Sequence, residues 1–158
     1  MKRLLFGAVA ALLLLSVAPA QAHTINATAT LQGGEEVPGL LTGAVGLAEI
    51  SIDTETRIIS VNLKVFNIPT GTTAGHIHVG SRGIAGPVVL DFPIPRGRTG
   101  DFSMSFTVGE SSLRPRPEIG IVTIDDVIQA ISAGSAYVNI HTSTNPGGET
   151  RGQLVVSQ

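Results

Sequence analysis

Asp101-Phe102-Ser103-Met104-Ser105-Phe106-Thr107-Val108 carries an apolar side chain at every second position. Side chains two apart share one face of a strand, so the stretch predicts a half-buried β-strand. Phe102, Met104, Phe106 and Val108 face the core, while Asp101, Ser103, Ser105 and Thr107 face water. The same period recurs upstream. Ile25, Ala27, Ala29 and Leu31 alternate with Thr24, Asn26, Thr28 and Thr30. Ala44 to Ile52, a polar Asp53–Thr56 stretch, and Arg57 to Phe66 with Ile59, Val61, Leu63 and Val65 on one face predict a hairpin.

Pro87 to Phe92 is a short apolar run that reads as a further strand. The Pro-, Gly- and Arg-rich segment Pro93 to Gly100 reads as a loop. Ser111 to Pro117 reads likewise, because Pro115 and Pro117 cannot donate to a ladder. One segment departs from the strand period. Thr123-Ile124-Asp125-Asp126 has the form of a capping box with Asp in the third position after the cap, and Ile124, Val127, Ile128 and Ile131 follow at helical spacing. Gly134 stands where a helix end favours positive φ, so one short helix is expected near 124–132. About eight strands, many turns and one helix predict an all-β fold, an immunoglobulin-like or Greek-key β-sandwich or a related barrel.

The N-terminus is different in kind. Met1-Lys2-Arg3, the apolar run Leu4 to Val17 and Ala20-Gln21-Ala22 have the order of a secretory signal peptide, with cleavage after Ala22. Residues 1–22 are thus expected to be removed and 23–158 to form a single domain, exported to the periplasm or the exterior, with no transmembrane segment in the mature chain. The chain has no cysteine, which excludes thiol catalysis, thiolate metal sites and disulfide staples. Its net charge of −2 becomes more negative once Lys2 and Arg3 are gone, which gives no electrostatic footprint for nucleic acid.

Two elements carry three of the four histidines: Gly75-His76-Ile77-His78-Val79-Gly80 and Ala136-Tyr137-Val138-Asn139-Ile140-His141-Thr142. Strand parity puts His76 and His78 on one face, and Tyr137, Asn139 and His141 on one face. If the two strands are neighbours, about 4.8 Å apart, three imidazoles can converge on one ion at the roughly 2.0–2.1 Å that zinc requires. The competing reading gives each ring a hydrogen bond to a carbonyl, to Asn139 or to Glu149. After them, Asn145-Pro146-Gly147-Gly148 is strong turn chemistry. Glu149 and Arg151 then lie two apart, facing one side, where they fix the loop or form an exposed ion pair worth at most about 1 kcal/mol. Gly152 admits a close backbone approach.

These elements resemble, in order, the motifs of the CHRD domain, the repeated module of chordin. The residues that carry the resemblance are Leu31-Gln32-Gly33-Gly34-Glu35-Glu36-Val37-Pro38, Ala74 to Gly80, Gly86-Pro87-Val88-Val89, Ala133 to Thr142 and Asn145 to Leu154. Thr150 departs from the pattern, in which Ile or Val is usual. The resemblance implies a β-rich, immunoglobulin-like module of the kind widespread in bacterial exported proteins, most of them without an assigned activity.

No nucleophile elbow, P-loop, dinucleotide fingerprint or HExxH helix occurs in the sequence. Glu35 and Glu36 would face opposite ways in a strand, and Asp125 and Asp126 suit a helix's first turn. The leading expectation is therefore a non-catalytic exported binding or structural module with an unknown extracytoplasmic ligand or surface as partner. The alternative is a copper- or zinc-binding protein, redox-active if it holds copper, with His76, His78 and His141 as ligands and Tyr137, Asn139, Glu149 and Arg151 supporting them. His23 is a further candidate ligand, because cleavage would join its imidazole to a free α-amine.

Overall fold

The computed structural model describes residues 23–157, so the signal-peptide reading of 1–22 lies outside the described residues. Nine strands and one α-helix follow in chain order: β1 (Thr24–Gln32), β2 (Val45–Asp53), β3 (Ile58–Ile68), β4 (Thr72–Val79), β5 (Val88–Phe92), β6 (Gly100–Val108), α1 (Ile124–Ser132), β7 (Ala136–Thr142), β8 (Thr150–Gln153) and β9 (Val155–Val156). All pair antiparallel in one sheet of order β5-β4-β7-β8-β1-β2-β3-β6, with β9 alongside β1. The sheet curls until its two ends nearly meet, which selects the barrel over the two-sheet sandwich. Phe92 of β5 and Phe106 of β6 close the gap edge-to-face, their ring centroids 5.0 Å apart. Leu113, just beyond β6, bridges to Leu90 of β5.

The alternation read from sequence sorts the side chains as expected. Phe102 and Val108 are buried, Met104 and Phe106 half-buried, and Ser103, Ser105 and Thr107 exposed. In the β2–β3 hairpin Ile52 pairs with Ile59, and Ile59, Val61, Leu63 and Val65 line the interior. Each fully buried aliphatic side chain of this kind contributes roughly 1.5–3 kcal/mol.

The helix forms where the capping residues predict it. The Thr123 side chain accepts from the Asp126 N–H, and the Asp126 carboxylate accepts from the Thr123 N–H. Ile124, Val127, Ile128 and Ile131 bury its apolar stripe, and it packs against β7 and β9. Gly134 ends it at φ 68°. The segment after β6 forms two 3-10 turns, Glu110–Ser112 and Pro117–Ile119, rather than a strand.

Two departures concern position. Glu35 and Glu36 are not in a strand: Gly33–Glu35 is a 3-10 turn that ends β1, with Glu36 at its C-cap. A Cβ at Gly33 would clash with Thr42 and the Leu40 carbonyl, so this turn is packed under the following loop. Glu149 and Arg151 are not an exposed ion pair either. They are 0 % and 3 % exposed and bind separate partners, because loops fold over the strand end that parity alone leaves open.

Candidate metal centre

The two histidine strands are neighbours. β4 and β7 pair antiparallel with His76 opposite Asn139, His78 opposite Tyr137 and Ala74 opposite His141. Ile77, Val138 and Ile140 point into the barrel core, so the histidines share the outer face of the sheet. That face is not wet. β7 is buried along its whole length, and His78, Asn139 and His141 are 7 %, 2 % and 7 % exposed.

Two loops cover the cluster, and each is tied to a histidine. His78 Nδ1 donates to the Gly86 carbonyl at 2.9 Å, and His141 Nδ1 donates to the Pro146 carbonyl at 3.0 Å. A carbonyl only accepts, so both rings carry their proton on Nδ1 and leave Nε2 as a bare lone pair. His76 is reversed: its Nε2 lies 3.3 Å from the Asp91 carboxylate of β5, and its Nδ1 is the bare nitrogen. His76 Nδ1, His78 Nε2 and His141 Nε2 are all buried without a hydrogen-bond partner. One ligand nitrogen from each ring lies within 4.8 Å of the others, and no other such group of three occurs among the described residues. Asn139 and Glu149 do not bind the rings.

The donor set fits a transition metal. Tetrahedral ligands at about 2.0–2.1 Å from one ion stand roughly 3.3–3.4 Å apart, so from a spread of up to 4.8 Å the ring nitrogens must close by up to about 1.4 Å. Neutral imidazole suits zinc and copper. Burial, with repulsion from His141 and His78, lowers His76 to a pKa of about 4. Burial also lowers His78 to about 4 and lowers His141. All three rings are therefore neutral at neutral pH, with no proton to displace before a metal binds.

The supporting residues divide. Tyr137 stacks on His78 with ring centroids 4.9 Å apart, and its hydroxyl accepts from the Gly86 N–H at 3.0 Å. The Arg151 guanidinium lies 4.5 Å above the Tyr137 ring and donates to the Glu35 and Ile84 carbonyls, which ties the Gly33–Glu35 turn and the loop that carries Gly86 to β8. Glu149 accepts from Thr42, Thr142 and Asn145, and so fixes the Asn145–Gly148 turn. Gly148, at φ 147°, lies against Glu36 and Asn139, where a Cβ would come within 2.5–2.6 Å of their polar atoms. Gly152 passes so close to the Thr30 carbonyl that no Cβ fits. His23 is outside the cluster: it is exposed ahead of β1, and its carbonyl accepts from Thr54.

Sequence reasoning missed two residues. Asp91 sits directly opposite His76 on β5 and is held there by Arg114 Nε at 2.7 Å. Glu36 is 8 % exposed beside Asn139, and burial raises its carboxyl to a pKa of about 7 against the pull of Arg151. Asp91 is the one charged residue of the run Pro87 to Phe92, and nothing in that spacing signals a partner. Glu36 lies within a stretch that the family resemblance includes, but adjacency to Glu35 hid its burial. A cleft of about 260 Å³ opens next to the centre, with Glu36 and Pro146 in its lining.

A curled antiparallel sheet with a loop-covered histidine cluster on its outer face defines the class. The family model of the CHRD domain matches residues 27–154, nearly the whole described chain, and the protein belongs to the CHRD domain family. No curated protein and no solved structure matches it. Among the described residues no helix is long and apolar enough to cross a membrane.

Proposed function

We propose that this protein is an exported, non-catalytic CHRD module whose working centre is a transition-metal site, with zinc or copper held by His76, His78 and His141. One observation carries the reading. One nitrogen from each of the three rings lies within 4.8 Å of the others, and each ring keeps one buried nitrogen without a partner while its other nitrogen faces a carbonyl or a carboxylate. Carbonyl anchoring and convergence on an ion looked like rival readings from sequence, but they use opposite nitrogens of the same ring. Outer partners of that kind orient metal-bound histidines. Buried polar atoms without partners are otherwise unfavourable by about 1–3 kcal/mol each.

A zinc ion there cross-links β4 to β7, and copper adds a one-electron couple. Export is supported by the signal-peptide order of residues 1–22. The test is elemental analysis of the purified protein, with thermal melts in zinc or copper. Metal at a hundredfold excess over Kd should stabilise by about 2.7 kcal/mol. His141→Ala should weaken binding by more than the roughly 10–100-fold that loss of an outer partner causes. Protein that purifies without metal and melts unchanged in both ions refutes the reading.

A further inference from the structure

The three histidines are anchored unequally. His78 and His141 are held by backbone carbonyls, which no substitution at Gly86 or Pro146 removes from the chain. His76 alone is held by a side chain, and in it alone Nδ1 is the buried nitrogen without a partner. Its partner Asp91 lies directly across the β4–β5 ladder. Arg114 grips the other carboxylate oxygen, and the Arg114 backbone N–H donates to the Val89 carbonyl, which anchors the backbone of Arg114 beside β5. The His76 Nε2 to Asp91 Oδ1 contact of 3.3 Å is misaligned for a full hydrogen bond, and Oδ1 is buried with no donor of its own.

From this asymmetry we infer that Asp91 is a positioning residue of the metal centre: steadied by Arg114, it receives the Nε2 proton of His76 and turns the Nδ1 lone pair toward His78 and His141. The inference rests on the metal reading above. A ring rotated toward the ion brings Nε2–H into line with Oδ1, which supplies the donor that oxygen lacks. A carboxylate is also a stronger acceptor than the carbonyls behind the other two rings, so it raises the basicity of His76 as a ligand.

The experiment uses zinc competition with a chelator for affinity, and nitrogen-15 NMR of the cadmium-113 form for the identity of the ligating nitrogens. Wild type should show coupling from cadmium to His76 Nδ1 and to Nε2 of His78 and His141. Asp91→Ala should weaken zinc by about 10–100-fold and move the His76 coupling from Nδ1 to Nε2 or abolish it. Asp91→Asn keeps an acceptor oxygen without the charge, so it should retain Nδ1 coupling at intermediate affinity. The Asp91 side chain is 40 % exposed, so Asp91→Ala should melt close to wild type, which separates positioning from folding. Wild-type coupling through His76 Nε2, or an Asp91→Ala variant that matches wild type in affinity and coupling, overturns the role of Asp91 and leaves the metal site standing. Wild type that binds neither ion overturns the metal site itself, and the role of Asp91 with it.

Discussion

Replacing Glu36 by Gln should stabilise the protein by an amount that grows with pH. Glu36 is buried beside Asn139 Nδ2, 3.5 Å from Oε2, and its Oε1 has no partner. Burial holds its pKa at about 7 against an ordinary 4.5. The folded chain keeps a proton that the unfolded chain releases above about pH 4.5, so stability is complete below that value and falls as pH rises toward 7. For a single group with those two pKa values the loss is about 1.4 kcal/mol at pH 5.5 and about 3 kcal/mol at pH 7, levelling near 3.4 kcal/mol above it. Gln has nearly the same shape, stays neutral throughout, and can donate to the unpartnered Asn139 oxygen. Urea denaturation of both proteins in a pH series reads the difference directly. The gain should be near zero at pH 4.5 and of order 3 kcal/mol at pH 7. A difference that does not change with pH, or a Gln variant weaker than wild type at pH 7, refutes the reasoning.

The histidines act with the opposite sign. The folded pKa of about 4 at His76 and at His78 lies below the ordinary 6.5, so the unfolded chain takes up protons first. Metal-free protein should lose about 1.4 kcal/mol for each of His76 and His78 by pH 5.5, most visibly in a Glu36→Gln background, and an acid limb that stays flat there counts against the burial of the rings. Gly86→Ala places a Cβ on the Val79 carbonyl oxygen, so the loop over His78 must shift, at a loss of roughly 1–3 kcal/mol. Tyr137 is the chain's one tyrosine and there is no tryptophan, so its emission should report that loosening; an unchanged melt and spectrum would show that the loop is not held as described.

The parts of this centre that sequence made legible all depend on strand parity. His76 with His78, and Tyr137 with Asn139 and His141, fall on one face because the backbone alternates, whatever the rest of the chain does. Asp91 was not legible, since it reaches His76 only through the β4–β5 register, which bulges between Ile77 and His78. For Glu149 and Arg151 the loop-fixing reading is the one that fits and the exposed ion pair is not, for a similar reason. Spacing gave them a common face, whereas burial depends on the Gly33–Glu35 turn and the Asn145–Gly148 loop that close over them.

By itself the sequence determined an all-β chain with one capped helix, because period-two and helical apolar patterns and the Thr123–Asp126 box are local properties of the backbone. It also carried the motifs of the CHRD family. Only the tertiary structure decided that β4 lies beside β7, some sixty residues away in sequence, and that the loops ending in Gly86 and Pro146 fold over the pair. The physical reason is that strand pairing and loop closure are long-range contacts. They determine which ring nitrogen holds the proton, and so whether three histidines are a set of hydrogen bonds or a set of ligands.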